Sequence, residues 1–311
     1  MDINVILNVM MELFIIIVIG YFLFKTGIFD KNFNQKLTKL ILHVTMPCLI
    51  LNSVLKQTTK PPVTMVRDTF VVGVAIFIVL PIVGIIVAKL IRADLKKQGM
   101  YAFMMTYSNI GFMGIPVIGA IYGSTAVFYT AIINIVFNVT IFTLGMIVLR
   151  YGGGVNSKMN IGKLLSPGVL FSVAAILVYL FNIRFASVIE TSIASIGSVT
   201  TPLAMLLMGS TLATMPLRQV FNEGKVYLFC IIKQIIIPVI LYPTVKYFIK
   251  DSTLFGVVMI LLMMPIATNS IMFAIENNGD EKLAAKSVFI STVMSIVTIP
   301  LILHVLFTRN Y

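Results

Sequence analysis

The residues of this chain that could do chemistry lie in one glycine- and proline-rich segment, Tyr107 to Gly123, with the sequence YSNIGFMGIPVIGAIYG. Pro116 removes a backbone donor and pushes Ile115 out of helical geometry, so the spacing predicts a break in an otherwise apolar helix. If the helix restarts at Pro116, the free N–H groups around Gly114 and Ile115 form an electropositive site. With the polar side chain of Asn109 beside it, such a site would bind an anion.

A second segment, LLMMPIATNSIMFAIENNG, has the same character. Pro265 lies at the centre of the apolar run 254–276, just as Gly111 lies near the centre of the run 99–121. Freed backbone groups inside a membrane are tolerated only where protein or a watery cavity satisfies them. We therefore expect both breaks to line one substrate-binding cavity. The candidate substrate-binding residues are Asn109, Gly111, Gly114, Ile115, Pro116, Pro265, Thr268, Asn269 and Ser270.

The elements that must position these residues follow from composition. The chain has 311 residues, of which 59% are hydrophobic and 11% charged, and its mean hydropathy is +1.04. These values exclude an ordinary soluble domain. Runs long enough to cross a bilayer lie at 5–25, 37–56, 69–91, 99–121, 125–149, 164–183, 187–214, 225–249, 254–276 and 283–307. The sequence thus predicts an all-α polytopic membrane protein with ten transmembrane helices in the lipid bilayer.

The basic residues predict the orientation. The net charge is +12, but the basic residues are scattered in short loops, so nucleic acid is not an expected partner. Alternate sides of the ten runs carry 15 and 7 Lys and Arg residues. The positive-inside rule makes the richer side cytoplasmic. We expect a multi-pass protein of the cell membrane with both termini outside.

The ten runs divide into two related halves. Pro47 and Pro202 are 155 residues apart, and Gly123 and Gly279, in the turns after the two broken runs, are 156 apart. Because each half has five helices, the second enters the membrane upside down, which is the inverted-repeat plan of many secondary transporters. We predict a first repeat at 1–150, a cytoplasmic linker at 151–163 and a second repeat at 164–311, with helices 4 and 9 broken.

Two charges inside predicted helices need an explanation. Lys233 lies ~13 Å inside the eighth run, at 1.5 Å per residue, and a charge at that depth is a functional hypothesis by default. It either attracts an anionic substrate or holds the carbonyl ends of a broken helix; we favour the second role. Glu12 in the first run is a candidate for carrying a coupling proton or pairing with a basic group. His43 and His304 have no ligand partners nearby in sequence, so we expect neither a metal nor a cofactor.

With the breaks located, a family resemblance is visible. Asn109, the MGIP of residues 113–116 and the AIYG of residues 120–123 resemble the signature of the auxin efflux carrier family, which includes plant PIN-type carriers and bacterial malonate and malate permeases. The Pro-x-Leu element at Pro47 and the stretch SVFISTVMSIVTIPLIL resemble that family too. The resemblance implies ten helices, crossing broken helices 4 and 9, and elevator-like transport of an organic anion. The long central loop of plant members is absent here, which favours a bacterial-type carrier.

The leading function is therefore a secondary transporter for a small organic anion, and not an enzyme. The alternatives are a membrane-embedded enzyme, although HExxH, GxSxG and paired intramembrane aspartates are absent, and an ion channel, which two central breaks fit less well than alternating access. H⁺ and Na⁺ both stay open as coupling ions, and a homodimer stays open. Malate, malonate, lactate and an aromatic or auxin-like acid all remain candidate substrates.

Overall fold

The computed structural model describes residues 3–56, 62–153, 167–214 and 224–308. In these residues the chain is helical, with no β-strand and one isolated antiparallel β-bridge. The all-helical class is thus confirmed. The helices are α1 (Ile3–Lys25), α2 (Lys31–Leu55), α3 (Val63–Leu90), α4 (Leu95–Thr106), α5 (Ile110–Tyr122), α6 (Ser124–Phe142), α7 (Leu144–Leu149), α8 (Pro167–Phe181), α9 (Ser187–Ala213), α10 (Gly224–Phe248), α11 (Ser252–Met263), α12 (Asn269–Glu276) and α13 (Glu281–Thr308).

Six of these helices are long and apolar enough to cross a membrane: α2, α3, α6, α9, α10 and α13. Shorter apolar helices include α5, α11 and the central part of α8. Each of the ten predicted runs contains helix, although α2 begins six residues before its run. Most of the predicted linker, residues 154–163, lies outside the described residues.

Two of the predicted spans, the fourth and the ninth, are interrupted by several residues, and the span 125–149 is interrupted by Thr143 alone. The fourth is divided into α4 and α5 by residues 107–109, and the ninth into α11 and α12 by residues 264–268. The predicted break at Pro265 is confirmed. The first break lies several residues before its predicted place, because the helix restarts at Ile110 and not at Pro116.

Three prolines inside helices explain three wider, π-helical turns. These turns are Ile41–Thr45, Ile110–Gly114 and Ile232–Ile236, and each is followed by one residue and then by a proline. The residue before each proline donates its N–H to the carbonyl five residues earlier. Proline has no N–H and its ring crowds the carbonyl four residues back. A turn with one extra residue keeps the helix continuous around it.

The long helix α9 packs closely against α1 and runs antiparallel to α2. A Cβ on Gly20 of α1 would clash with the backbone of Leu206, and Gly209 is equally close to the backbone of Ile17. Against α2, Gly197 meets the backbone at Leu49, and further along α9 a buried hydrogen bond of 2.8 Å joins Ser210 to Asn34. Small residues allow this close approach between membrane helices.

The tyrosine and glycine that end α5 have separate structural reasons. Gly123 has a φ of 78° and a ψ of −164°, a conformation open essentially to glycine alone. The ring of Tyr122 lies against Gly256 of α11, where any Cβ would clash with it. The turn after α12 differs, because its left-handed residue is Asn278, with a φ of 55°, and not Gly279.

Candidate functional site

The two breaks pair with each other. The Asn109 N–H donates to the Pro265 carbonyl at 2.8 Å, and the Ala267 N–H donates to the Tyr107 carbonyl at 3.0 Å. Ser108 and Ile266 form the isolated antiparallel bridge between them. We call the paired segments 107–109 and 264–268 the crossover. Backbone groups that the breaks free from helical bonding are thus partly satisfied by one another, as a buried break requires.

Side chains from α10 and α13 hold the crossover from one side. Lys233 donates from Nζ to Ser108 Oγ at 2.7 Å, which fixes the first break. The next residue, Gln234, donates from Nε2 to the carbonyl of Ser291 at 2.9 Å and to that of Met263, where α11 ends, at 3.4 Å. Ser291 Oγ in turn accepts the Ile266 N–H at 3.1 Å. Both breaks are therefore supported by buried polar groups of neighbouring helices.

The start of α5 corrects one prediction. Gly114 donates its N–H to the Asn109 carbonyl at 2.8 Å, and Ile115 donates to the Ile110 carbonyl. Both donors are therefore bonded inside the helix. The prediction that the N–H groups around Gly114 and Ile115 are free is wrong. The π-turn, with its extra residue, accommodates Pro116 within the helix, so the helix does not end there. The electropositive end of α5 lies instead at Ile110 to Phe112, next to the crossover.

Asn109 has two roles at this helix start. Its side-chain oxygen accepts the N–H of Phe112 at 3.3 Å and so caps α5. Its amide nitrogen Nδ2 is buried and has no hydrogen-bond partner among the described residues. A Cβ on Gly111, two residues further on, would stand in ordinary van der Waals contact with Met46 of α2, at 3.6 Å. A buried amide donor without a partner is costly unless a ligand or water satisfies it.

The start of α12 carries the second polar cluster. Thr268 is the residue before α12, and its side chain makes no capping bond. Thr268 and Asn269 are both half-buried. Ser270 is fully buried, and its hydroxyl has no partner among the described residues.

Two cavities flank α5 and α12. The α5 cavity, of about 410 Å³, is lined by Leu49, Asn52, Ser53, Lys56, Ile115, Pro116, Gly119, Ala120, Gly123, Ser124, Val127 and Thr201. The α12 cavity, of about 300 Å³, is lined by Thr38, Phe112, Ala204, Leu207, Met208, Thr211, Thr268, Asn269, Ile271, Met272 and Ile275. Among the described residues, neither lining contains an acidic side chain.

Seven positions in the lining of one cavity correspond to seven positions in the lining of the other. Leu49, Asn52 and Ser53 of α2, and Lys56 directly after it, are each 155 residues before Ala204, Leu207, Met208 and Thr211 of α9. Ile115, Pro116 and Gly119 of α5 are each 156 residues before Ile271, Met272 and Ile275 of α12. These are the two offsets that relate the halves of the sequence.

The predicted site residues divide into three groups. Asn109 and Pro265 lie in the crossover, whereas Ile115, Pro116, Thr268 and Asn269 line one of the two cavities. Gly111, Gly114 and Ser270 lie at the helix starts between them. Glu12 is exposed on α1 and lines neither cavity, so its coupling role stays a prediction.

Sequence reasoning missed the polar groups that support the crossover. Ser108, Gln234 and Ser291 were absent from the candidate residues, yet each is buried and bonded at a break. The adjacent polar pair of Lys233 and Gln234 in an apolar run was an available signal. Lys56, which lines the α5 cavity, was counted only as a loop charge.

Comparisons with known proteins agree with this architecture. The chain matches the family described as "Membrane transport protein" over residues 5–161 and 153–303. It is 23% identical to an uncharacterized transporter of Methanothermobacter thermautotrophicus, over 94% of this chain and 95% of that protein. It is 23% identical to a Rhizobium meliloti protein named "Putative malonate transporter", over 87% and 86% of the two chains. An uncharacterized transporter of Escherichia coli K12, YfdV, is 21% identical over 95% and 96%.

These matches and the apolar helices define the class of the protein as a multi-pass membrane transport protein. The chain belongs to this transporter family, that of the auxin efflux carriers, as the residues around Asn109 predicted.

Proposed function

We propose that the chain is a secondary carrier that moves a small organic anion across the cell membrane by alternating access. The observation that carries this proposal is the crossover itself, in which two helix breaks pair with each other and a cavity lies beside each half-helix that follows. Discontinuous helices that meet near mid-membrane are the binding sites of many secondary transporters.

The correspondence between the cavities supports ten spans in two inverted repeats of 1–150 and 164–311. Equivalent positions of α2 and α9, and of α5 and α12, line separate cavities. In an inverted repeat, equivalent surfaces face opposite sides of the membrane. Movement of the crossover helices past α2 and α9 would expose one cavity at a time, which is an elevator-type movement.

The chemistry of the site favours an anion. The free amide of Asn109, the starts of α5 and α12, and the lysine of the α5 cavity all present donors or positive charge. One relative is named for malonate. We therefore propose a carboxylate as the substrate, with malonate and malate as the first to be tested.

Counterflow into proteoliposomes tests the proposal. Vesicles are loaded with unlabelled malonate, malate, lactate or an aromatic acid, and entry of the labelled acid is followed. A carrier gives saturable uptake that internal substrate stimulates, whereas a channel gives non-saturable flux without stimulation. Chemical conversion of the acid would indicate an enzyme. Absence of stimulated uptake for every acid, in vesicles that contain folded protein, would contradict the proposal.

A further inference from the structure

Lys233 is a buried cation that lacks a carboxylate partner in the described part of the chain. Its side chain is 2% exposed and gives one hydrogen bond, to Ser108 Oγ. An ammonium group has three donors, and buried charges in proteins are normally paired. Ion pairs are found elsewhere in the described residues, for example between Arg67 and Asp68 and between Lys97 and both Asp94 and Asp280.

The elements around Lys233 supply no counter-charge. Its π-turn packs against α11, which has no titratable side chain, and against α13. The carboxylate of α13 is Glu281, ten residues before the Ser291 that meets the crossover. The remaining titratable groups of α4, the first break, α5, α10 and α13 are Lys96, Lys97, Tyr101, Tyr107, Tyr122, Lys225, Tyr227, Cys230, Tyr242, Lys246, Tyr247, Lys282, Lys286 and His304.

The position of the ammonium group relates it to the proposed substrate. Ser108 directly precedes Asn109, so Lys233 lies behind the segment that presents the unpaired Asn109 amide. Lys233 lines neither cavity, so its effect on a substrate would be electrostatic, across this segment and without contact. Two opposite unit charges about 7 Å apart, at an effective dielectric constant of about 20, change an affinity by roughly 50-fold.

We propose that Lys233 is the built-in cation of the crossover, whose missing counter-charge the substrate carboxylate supplies. The inference rests on the proposed transport function and adds to it the source of charge selectivity. In transporters of this plan a coupling cation is often held where the helices are broken. Here a covalently attached ammonium group fills that electrostatic role, and no acidic residue lies in the crossover to bind a second cation. Uptake of the anion therefore needs no sodium.

The test separates the charge of Lys233 from its hydrogen bond. Lys233→Gln keeps an amide donor that can reach Ser108 but removes the charge, and Lys233→Arg keeps the charge. Uptake of labelled malonate is measured in sodium and in choline medium, with inhibition by unlabelled malonate and by its uncharged diamide. The ratio of these two inhibition constants reports charge selectivity, which a purely structural defect would leave unchanged. Lys250→Met, at an exposed position beyond the end of α10, is the matched control.

We expect wild-type uptake to be equal in both media. Lys233→Gln should lower the malonate-to-diamide selectivity by about 10- to 50-fold, whereas Lys233→Arg and Lys250→Met should keep it. A sodium requirement in the wild type, which needs no variant to detect, would overturn the inference, as would unchanged selectivity in folded Lys233→Gln. If the wild type moves none of the acids, the proposed function fails instead.

Discussion

The two cavities share a backbone plan but differ in chemistry. Three positions of the α5 cavity, at and just after the end of α2, carry Asn52, Ser53 and Lys56, and the equivalent α9 positions of the α12 cavity carry leucine, methionine and threonine. The half-helices differ in the opposite sense. Thr268 and Asn269 bring polar groups to the α12 cavity, whereas their equivalents at the offset of 156, Phe112 and Met113, are apolar.

This difference separates the properties that the two halves of the chain share from those that only one half has. The helix breaks, the offsets and several cavity positions recur in both halves, as the proposed pair of opposite access routes requires. The polar groups are not duplicated, and the lysine belongs to one cavity alone. An anion would therefore be attracted more strongly from the α5 side, which the charge distribution of the loops predicts to be the outside.

The largest expected effect concerns access from the two sides. In a chain with Cys48 and Cys230 replaced by serine, Lys56→Cys should react with an impermeant thiol reagent added outside sealed cells. Thr211→Cys, at the equivalent position of the α12 cavity, should react only from the inside, because an inverted repeat places it on the opposite face. Labelling of both cysteines from the same side would show that the two cavities do not open to opposite sides, and it would reject the predicted topology.

The crossover, unlike the cavities, should serve both sides equally. Asn109→Asp keeps the oxygen that caps Phe112, so the fold should survive, but it replaces the free amide donor by a negative charge. We expect anion affinity to fall at least about tenfold, measured from either side, because charges repel strongly in a poorly hydrated site. Asn109→Ala should lose about 1 kcal/mol of binding, on the order of one neutral hydrogen bond.

Affinity and thermal stability should be measured together for these variants. Asn109→Ala also loses the cap and should unfold at a lower temperature than Asn109→Asp. Wild-type affinity in Asn109→Asp would remove Asn109 from the site.

The sequence predicted the two helix breaks of the crossover, but it predicted few of the side chains of α10 and α13 that bond to them. Pro265 and the glycine-rich segment before Pro116 are local signals, because proline and glycine act on the helix that contains them. The sequence did not predict the exact position of the first break. A π-turn with one extra residue accommodates Pro116, so the helix continues through this proline. The bond from Lys233 to Ser108 spans 125 residues, and a side-chain pair at that separation leaves no local pattern.

A smaller effect is expected from the proline that only one half-helix carries. Pro116 follows the π-turn of α5, whereas the equivalent residue of α12 is Met272, and α12 has no such turn. Pro116→Ala should let α5 tighten toward a regular helix and slow turnover by about fivefold, which corresponds to a barrier change of roughly 1 kcal/mol. The KM should change little, because Pro116 offers no donor to the substrate. Met272→Ala is the matched control, and an equal effect of both substitutions on turnover would show that the proline is incidental.

The smallest effect is expected when the residues Lys56 and Thr211 are exchanged, because this exchange moves the positive charge from the α5 cavity to the α12 cavity. Lys56 is exposed and screened by water, so Lys56→Thr should raise the KM for uptake from the α5 side by only about threefold. Thr211→Lys should lower the KM from the α12 side by a similar factor, and the double exchange should reverse the preferred side. Turnover should not change, since neither residue lies in the crossover. High salt should abolish each effect, because exposed charges are screened over about 10 Å at 0.1 M ionic strength. A KM that responds equally from both sides, or an effect that persists at high salt, would mean that Lys56 acts on folding and not on the approach of the anion.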